Sequence, residues 1–410
     1  MLGSLRQVAS LLISTFIMMV GFGVAGYVTP LRAMDEGWSM LVISLIATAY
    51  SAGFLLSSVS TPLLVRRAGH IRVFAAFIGV LLVAILVAAL VVDWRLWIIM
   101  RGLAGFAMAG LYMVIETWLN ERARNEYRGA LFSFYMIICS LGAVVGSFLV
   151  PLGNRANTSL FILAALLYAV AIFPIALSAA VQPAPLTRVR INIRQLWRRT
   201  PVAFVGSLVA GVLNAGWVHM VAVYATKSGM DAQGGAELQA AVLLGMLALQ
   251  IPIGRLSDLV DRRIVMVMAG ALGVVASFAM TMISPASWLA FNAAAFMLGA
   301  VLFPIYTLNS AHANDMAGDG EYVEVAASMG VLYGIGVIAG PLAAGFAMDE
   351  LGAIGMPVML AAGFAVYALY ALWRILIRPS SLGPAEKTDR QPLASPLQGA
   401  SLKPPGAEIT

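Results

Sequence analysis

The sequence predicts an all-α membrane protein with twelve transmembrane helices in two pseudo-symmetric six-helix halves. Three observations support this fold class. Of the 410 residues, 61% are hydrophobic and only 11% are charged, whereas a soluble domain has roughly 25% charged residues. The apolar residues fall into runs of the roughly 20 residues that a membrane-spanning helix needs. A polar segment in the middle of the chain divides these runs into two sets of six.

The apolar runs give the bounds of the predicted helices. We predict spans at 8–30, 38–64, 71–92, 96–119, 129–152, 158–180, 201–226, 237–256, 264–283, 287–311, 323–348 and 353–377. The first run is longer than the roughly 7 to 15 apolar residues of a signal-peptide core, so we interpret it as a retained helix. Small residues such as Gly142 with Gly146, and Gly336 with Gly340, are expected to let membrane helices approach closely.

These spans predict four regions of the chain. Residues 1–180 form the N-terminal half, 181–200 a cytoplasmic linker with five arginines, and 201–378 the C-terminal half. The tail, 379–410, is rich in proline and poor in apolar residues, so we predict that it is disordered.

The distribution of basic residues predicts the orientation. Twenty of the 25 lysines and arginines fall in the termini and loops of one side, and four fall on the other: Arg32, Arg95, Arg155 and Lys227. Because basic loops stay in the cytoplasm, we predict that both termini are cytoplasmic. The net charge of +6 is spread in short clusters between apolar runs. This pattern argues against a nucleic-acid partner.

Composition also argues against several kinds of chemistry. The single cysteine, Cys139, allows neither an intrachain disulfide nor a thiolate metal site. We find no nucleotide-binding glycine loop, no paired histidines at metal-ligand spacing and no Ser-His-Asp set that the topology brings together. We therefore predict that the protein is not an enzyme and needs no metal or other cofactor.

The fourth span carries the most unusual residues. The twenty-fifth basic residue, Arg101, lies inside it, and Tyr112 and Glu116 fall within about 60° of Arg101 around a helix with 3.6 residues per turn. The rise of such a helix separates Glu116 from Arg101 by about 22 Å, so each needs its own partner. An ionisable group at membrane depth costs at least a few kcal/mol and is expected only at a partner or a wet cavity.

Two interpretations stay open for each charge. Arg101 either donates to backbone carbonyls of a neighbouring helix, or contacts an anionic substrate or lowers a carboxylate pKa during proton coupling. Glu116 is either clamped by Arg122 or Arg128 as a gate, or carries a proton.

Spans seven and ten carry further candidates. His219 is either a proton carrier or a neutral histidine with one hydrogen bond. Trp217 either stacks on a substrate or anchors the helix at the membrane interface. Asn214 and Asn292 either join helices or bind a ligand. Tyr306 is the remaining candidate for substrate binding or coupling.

Two loops repeat between the halves. PLLVRRAGHIR lies between spans two and three, and PIGRLSDLVDRR lies between spans eight and nine. The second loop resembles the signature loop of the major facilitator superfamily, in which an acidic residue and arginines join neighbouring helix ends. Its matching residues are Gly254, Arg255, Asp258 and Arg262. In the first loop Arg67, Gly69 and Arg72 agree with that pattern, but Arg66 stands where the superfamily usually has aspartate.

Other residues strengthen the resemblance across residues 8–377. Arg101 with Gly105 resembles the superfamily's fourth-helix pattern, and Gly336, Gly340, Pro341 and Gly345 resemble a glycine-proline pattern of its fifth or eleventh helix. The run YMVIETWLNERARNEYRG is similar to the YcaD-like permeases of bacteria. The resemblance implies a cavity lined by spans one, four, seven and ten, and a place in the bacterial inner membrane.

The function that follows is secondary transport of a small solute by alternating access, with proton coupling as symport or efflux antiport. We expect a monomer whose partners are the solute, protons and membrane lipids. Two alternatives stay open. One is a membrane sensor or receptor without net transport, and the other is a lipid-handling permease with a polar seam open to lipid.

Overall fold

The computed structural model describes residues 2–122, 128–155, 157–176, 191–318 and 321–377. These residues form helices and no strand. The helices are α1 (Leu2–Asp35), α2 (Met40–Ala68), α3 (His70–Leu90), α4 (Trp94–Arg122), α5 (Arg128–Leu149), α6 (Ser159–Ala176), α7 (Ile193–Arg199), α8 (Pro201–Lys227), α9 (Ala232–Leu259), α10 (Arg262–Met282), α11 (Trp288–Leu302), α12 (Pro304–Asp315), α13 (Tyr322–Leu351) and α14 (Gly355–Ile377). Short 3₁₀ turns at Val150–Leu152 and Gly352–Ile354 follow α5 and α13.

Twelve crossings account for these helices apart from the short α7, as predicted. Ten segments of the described residues have the length and apolar composition of a span, and one of them, Tyr322–Ile377, contains both α13 and α14. The shorter apolar helix α6 is the remaining crossing. Helices α11 and α12 form one crossing, Trp288–Asp315, interrupted at Phe303. The interruption precedes Pro304, which cannot donate a backbone hydrogen bond to the helix.

Two elements differ from the sequence-based bounds. Helix α1 continues through Pro30, the predicted end of the first span, to Asp35, because packed membrane helices tolerate an internal proline. The predicted linker contains a helix that the sequence analysis did not identify, α7, whose first turn is capped by the Asn192 side chain accepting from Gln195 N–H. Residues 181–190 and the tail 379–410 lie outside the described residues.

The two halves repeat one packing scheme. In the first, α1 packs on α5 and α6, α2 packs on α4, and α3 packs on α4 and α6. In the second, α8 packs on α13 and α14, α9 packs on α11, and α10 packs on α11 and α14. Each contact of one half thus has a counterpart in the other, which is the predicted pseudo-symmetry.

Glycine makes the closest of these contacts possible. A Cβ atom at Gly146 of α5 would lie 2.2 Å from the Val20 carbonyl oxygen of α1. The equivalent position of the second half is Gly336 of α13, where a Cβ atom would lie 2.1 Å from the Leu208 carbonyl oxygen of α8. Both glycines belong to the pairs that the sequence predicts at close helix crossings.

The hydrogen bonds between the halves lie toward one side of the molecule. We call the side with the α2–α3 and α9–α10 connections and the end of α14 the basic side, and the other the opposite side. Two hydrogen bonds join the halves within the described residues: Tyr27 Oη donates to the Ala232 carbonyl at 3.2 Å, and Thr48 Oγ1 donates to the Ile338 carbonyl at 3.3 Å. Both lie nearer the opposite side, so the two halves are closed against each other there.

Candidate functional site

Arg101, the basic residue of the fourth span, belongs to a row of three side chains that extends from the first half to the second. The guanidinium carbon of Arg101, on α4, is 4.6 Å from the ring centroid of Tyr50, on α2. The Tyr50 ring is 5.2 Å from the His219 ring, on α8, at an interplanar angle of 58°. We call this the Arg101–Tyr50–His219 row. It places a cation of one half and an imidazole of the other against one aromatic ring.

The sequence explains why Tyr50 lies against Arg101. One helical turn after Arg101 comes Gly105, where a Cβ atom would lie 1.9 Å from the Tyr50 carbonyl oxygen. Because this position has no side chain, the backbone of α2 reaches α4 at Tyr50. The same approach is supported by Gly53, where a Cβ atom would lie 1.9 Å from the Gly102 carbonyl oxygen. The spacing of arginine and glycine on α4 thus brings the aromatic ring of α2 to the guanidinium group.

Arg101 forms no hydrogen bond within the described residues, and its Nε atom is buried without a partner. It therefore does not donate to carbonyls of a neighbouring helix, which was one of its two interpretations. Its contact with Tyr50 is a cation–π interaction, in which the electron-rich face of the ring attracts the guanidinium charge. All the N–H groups of Arg101 stay available to another acceptor.

A small pocket adjoins Arg101 inside the first half. It has a volume of about 20 Å³, which is room for little more than one water molecule. Its apolar wall includes Ala25, Leu81, Ala84, Ile85, Ala88, Ala104, Met100, Met108, Phe22 and Trp97. Its polar wall consists of Arg101, Tyr50, Tyr168 and Thr29.

Glu116 lies in a separate cluster between α4 and α5. Its side chain is buried, with 4% of its surface exposed, and neither carboxyl oxygen has a hydrogen-bond partner. Tyr135 and Cys139 of α5 are its neighbours, but the Tyr135 hydroxyl is also without a hydrogen bond of ordinary geometry. The side chains of Arg122 and Arg128, the partners in the gate interpretation, lie outside the described part of the chain.

Aromatic rings fill the space between this cluster and the row. Tyr50 and Phe54 are 6.5 Å apart, and Phe54 and Tyr112 are 6.3 Å apart. The Tyr112 hydroxyl contacts the Met19 sulfur of α1 at 3.1 Å. The two ionisable groups of α4 therefore lie at the two ends of an aromatic path within the first half.

The second half contributes a polar cluster of its own. Asn214 Nδ2 donates to the Tyr333 hydroxyl at 3.4 Å, which joins α8 to α13. The Tyr333 ring is 4.7 Å from that of Tyr306, on α12. Asn292 instead donates to the Trp288 carbonyl of its own helix, so the structure does not bring it to the others. Trp217 is 1% exposed, and the interpretation as an interfacial anchor is therefore wrong.

None of the eight candidate residues of the spans is exposed: Arg101, Tyr112, Glu116, Asn214, Trp217, His219, Asn292 and Tyr306 are buried or half-buried. Polar groups of these helices therefore point into the bundle. This arrangement does not show the lipid-facing polar seam that a lipid-handling permease would need.

The loops of the two halves differ on the basic side. Arg262 donates from Nε to Asp315 at 2.7 Å, and from Nη1 to Asp258 at 2.9 Å and Ser257 at 2.9 Å. The equivalent arginines of the first half, Arg66, Arg67 and Arg72, have no ion pair with any described residue, and neither does Arg255. For the Asp258 pair this difference follows from the sequence, since Arg66 stands where the superfamily usually has aspartate. Gly69 separates α2 from α3 with a φ of 81°, a conformation that glycine adopts readily.

A second ionic contact on the basic side joins the linker to α13. Glu321 precedes α13 and accepts from Gly318 N–H at 2.9 Å, from Gln195 of α7 at 3.0 Å, and from Arg199. These donors, with the Gly318 N–H first, lower the pKa of the Glu321 carboxyl. Helix α7 is thereby attached to the second half.

Four tyrosines at these clusters escaped the sequence analysis: Tyr50, Tyr135, Tyr168 and Tyr333. Each is buried or half-buried within a span. Tyrosine is common at membrane interfaces. A tyrosine away from the end of a span is therefore unusual, and this position was the sequence signal that could have indicated a functional residue. Their partners lie on other helices, and the sequence alone does not place them.

Comparison with known proteins agrees with this architecture. The family model described as Major Facilitator Superfamily matches residues 11–246 and 233–406. The chain therefore belongs to the Major Facilitator Superfamily, and it is a multi-pass membrane protein of a transporter family.

The relatives are bacterial transporters. An uncharacterized MFS-type transporter of Yersinia pseudotuberculosis is 23% identical over 90% of this chain and 95% of its own length. The uncharacterized MFS-type transporter YcaD of Escherichia fergusonii is 22% identical over the same shares. The predicted resemblance to this branch is thereby confirmed.

Solved structures share the fold. The nucleoside transporter NupG has a TM-score of 0.74 and 13% identity, covering 92% of this chain and 100% of its own. A bacterial homolog of the human lysosomal transporter Spinster, in an inward-facing and unoccupied conformation, has a TM-score of 0.70 and 11% identity, covering 92% and 99%. At these identities the likeness concerns the fold alone.

Proposed function

We propose that the protein is a secondary active transporter that carries a small amphipathic, weakly anionic solute across the inner membrane by alternating access. The observation that carries this proposal is the Arg101–Tyr50–His219 row. It lies just inside the closed contacts of the opposite side, where the two halves meet. Because Tyr50 and His219 belong to different halves, rocking of the halves changes the distance between these two side chains. The geometry of the binding site therefore differs between the two conformations.

The chemistry of the row suits an acid group attached to an apolar body. Arg101 has free N–H groups for a carboxylate or a similar anion. The neighbouring rings of Phe22, Tyr50 and Phe54 offer an aromatic surface to the rest of the solute. His219 contributes a polar group from the other half, with no hydrogen bond to a described residue.

A ligand screen tests the role of Arg101. The probes are benzoate and phenylacetate with their neutral counterparts, benzamide and phenylacetamide, added to purified protein during thermal unfolding in chloride-free buffer. A bound ligand raises the unfolding temperature with the logarithm of its concentration. We expect an acid to stabilise the wild type more than its amide, and Arg101→Gln to remove this difference while Arg101→Lys keeps part of it. Equal effects of acid and amide would contradict the assigned charge of the solute.

Transport itself is tested by counterflow in proteoliposomes. We expect a stabilising acid, supplied with radiolabel outside, to exchange with unlabelled acid inside. If a ligand that binds is never exchanged, the protein is a receptor rather than a transporter. The direction of an imposed gradient that supports accumulation then distinguishes symport from antiport.

Glu116 is our candidate for the proton carrier. A buried carboxylate without hydrogen bonds is costly, and the Glu116 carboxyl has none, so holding and releasing a proton gives it a role in the cycle. We expect Glu116→Gln to abolish pH-driven accumulation while exchange persists. Glu324→Gln, on the basic side of α13, is the matched control and should accumulate normally. Full accumulation by Glu116→Gln would refute the proton role.

We also propose that the basic side faces the cytoplasm, as the distribution of lysine and arginine predicts. The described conformation is then closed toward the periplasm. A cysteine introduced at Leu152, which is 81% exposed on the opposite side, should react with a membrane-impermeant maleimide added outside intact cells. Reaction only after lysis would reverse the orientation.

A further inference from the structure

The charge of Arg101 is not balanced by any described residue around it. The groups that line its pocket are neutral apart from Arg101 itself, and no carboxylate is among them. Its nearest ionisable neighbour across Tyr50 is His219, which carries no negative charge. Glu116 is fifteen residues further along α4, about 22 Å by helical rise. A guanidinium group at this depth is costly unless a negative charge lies close to it.

Residues with unused hydrogen-bond donors line the small pocket beside Arg101. Tyr50 and Tyr168 both line it, and neither hydroxyl has a hydrogen bond to a described residue. Each phenol can donate one hydrogen bond, and the guanidinium group can donate several. The Thr29 hydroxyl is already used, since it donates to the Ala25 carbonyl at 2.6 Å. The pocket therefore presents unused donors and no free negative acceptor.

The size of the pocket limits what can accept from these donors. A volume of about 20 Å³ accommodates one water-sized species. A monatomic anion combines this size with a negative charge. We propose that the pocket formed by Arg101, Tyr50 and Tyr168 binds a halide ion, chloride under ordinary conditions, as the counter-ion of Arg101.

This site goes beyond the proposed transport function and rests on it in one respect. If the acid group of the solute also binds Arg101, the halide and the solute compete for the same guanidinium group. Chloride then occupies Arg101 when the solute is absent and keeps the buried charge compensated throughout the cycle.

The test measures thermal unfolding of the purified full-length protein while sodium chloride replaces sodium gluconate at constant ionic strength. We expect the unfolding temperature of the wild type to rise with chloride and its rise to follow a single-site binding curve. Bromide should act like chloride, and gluconate, which is too large for the pocket, defines the baseline. Arg101→Gln should remove the response.

A second variant keeps the test valid if Arg101→Gln does not fold. Tyr168→Phe removes one donor and leaves the ring, so we expect the half-saturating chloride concentration to rise roughly tenfold or more, as for the loss of a hydrogen bond to a charged group. Tyr370→Phe is the matched control, because Tyr370 lies on α14 against Trp373, and it should titrate as the wild type does.

Two results would overturn the proposal: no chloride response in the wild type, or the same response in wild type and Tyr168→Phe. Neither result depends on transport, because no solute is present. Conversely, a chloride response together with no counterflow of any bound acid would retain the halide site and reject the proposed function.

Discussion

A glycine of α9 permits a close contact between the halves on the opposite side. A Cβ atom at Gly235 would lie 2.0 Å from the Tyr27 hydroxyl oxygen of α1 and 2.8 Å from Ala225 Cβ. Ordinary contact begins at 3.4 Å, so in Gly235→Ala the Tyr27 hydroxyl must move by about 1.4 Å. That movement breaks the hydrogen bond to the Ala232 carbonyl, one of the two that join the halves.

The size of the effect follows from these contacts. Overpacking a buried position costs about 1–3 kcal/mol. The contact with Tyr27 destabilises only the closed conformation because Tyr27 and Gly235 belong to different halves, whereas the contact with Ala225 lies within the second half and is present in both conformations. Since 1.4 kcal/mol is a tenfold change in an equilibrium constant, the ratio of closed to open opposite side should fall about 5- to 150-fold. A ligand with no preference between the two conformations would not restore it.

Double electron–electron resonance measures this ratio. Spin labels at Leu152 and Ala286, exposed on the opposite side of the two halves, are introduced in a Cys139→Ala background. We expect Gly235→Ala to transfer population from a short to a longer distance. The neighbouring Gly234→Ala is the control, since its Cβ atom would lie no closer than 3.3 Å to any atom.

A rescue separates this mechanism from general damage. Tyr27→Phe removes the oxygen, and the next ring atom, Cζ, is 3.3 Å from the added methyl group. The double variant Gly235→Ala/Tyr27→Phe should therefore recover most of the short distance, and the lost hydrogen bond to the Ala232 carbonyl keeps the recovery incomplete. If Gly235→Ala shows the wild-type distances, or if Tyr27→Phe does not rescue it, the assignment of Gly235 to the closed contact is refuted.

Three further predictions concern stability. Gly336→Ala should lower the apparent unfolding temperature by an amount corresponding to about 1–3 kcal/mol, because its Cβ atom meets the α8 backbone at 2.1 Å, whereas Gly254→Ala, with no atom within 4 Å, should not. Arg262→Gln should cost about 3 kcal/mol by breaking the buried pair with Asp315, and Arg255→Gln should be neutral in the same unfolding assay. Because the pKa of Glu321 is lowered in the folded state, its contribution is present above the ordinary glutamate pKa of about 4.3 and is lost as pH falls through the folded value. The difference in unfolding temperature between wild type and Glu321→Gln should therefore be constant above about pH 5 and shrink below it; a difference that grows on acidification would contradict the assigned sign.

The sequence predicts the helices well because their cause is local. Twenty apolar residues in succession have one stable arrangement in a bilayer, so hydropathy gives the number and order of the spans. Close glycine contacts are also predictable, since Gly146 and Gly336 occur in small-residue spacings that membrane helices use for packing. The interruption at Phe303 was missed because Pro304 leaves the hydropathy of its span unchanged.

The site is predictable only in part. Arg101 and Glu116 stand out because a charge in an apolar run is rare, and the helical period places them on one side of α4. Tyr50 does not stand out, because it is one aromatic residue in a span without charges. Its role depends on how closely α2 approaches α4, which is a property of two helices rather than of either sequence run.

The two halves share a packing scheme but differ in the positions of their buried ionisable groups and of their ion pairs. The first half has two ionisable side chains within the bundle, Arg101 and Glu116, and the arginines of its α2–α3 loop form no ion pair with a described residue. In the second half the charges lie at the basic side, where Arg262 holds Asp258 and Asp315, and its contribution to the row is the half-buried His219. A rocking motion needs one half to retain the solute while the other moves past it. In the proposed cycle the first half therefore binds the anion and the proton, and the second half, made rigid by its ion pairs, opens and closes the path.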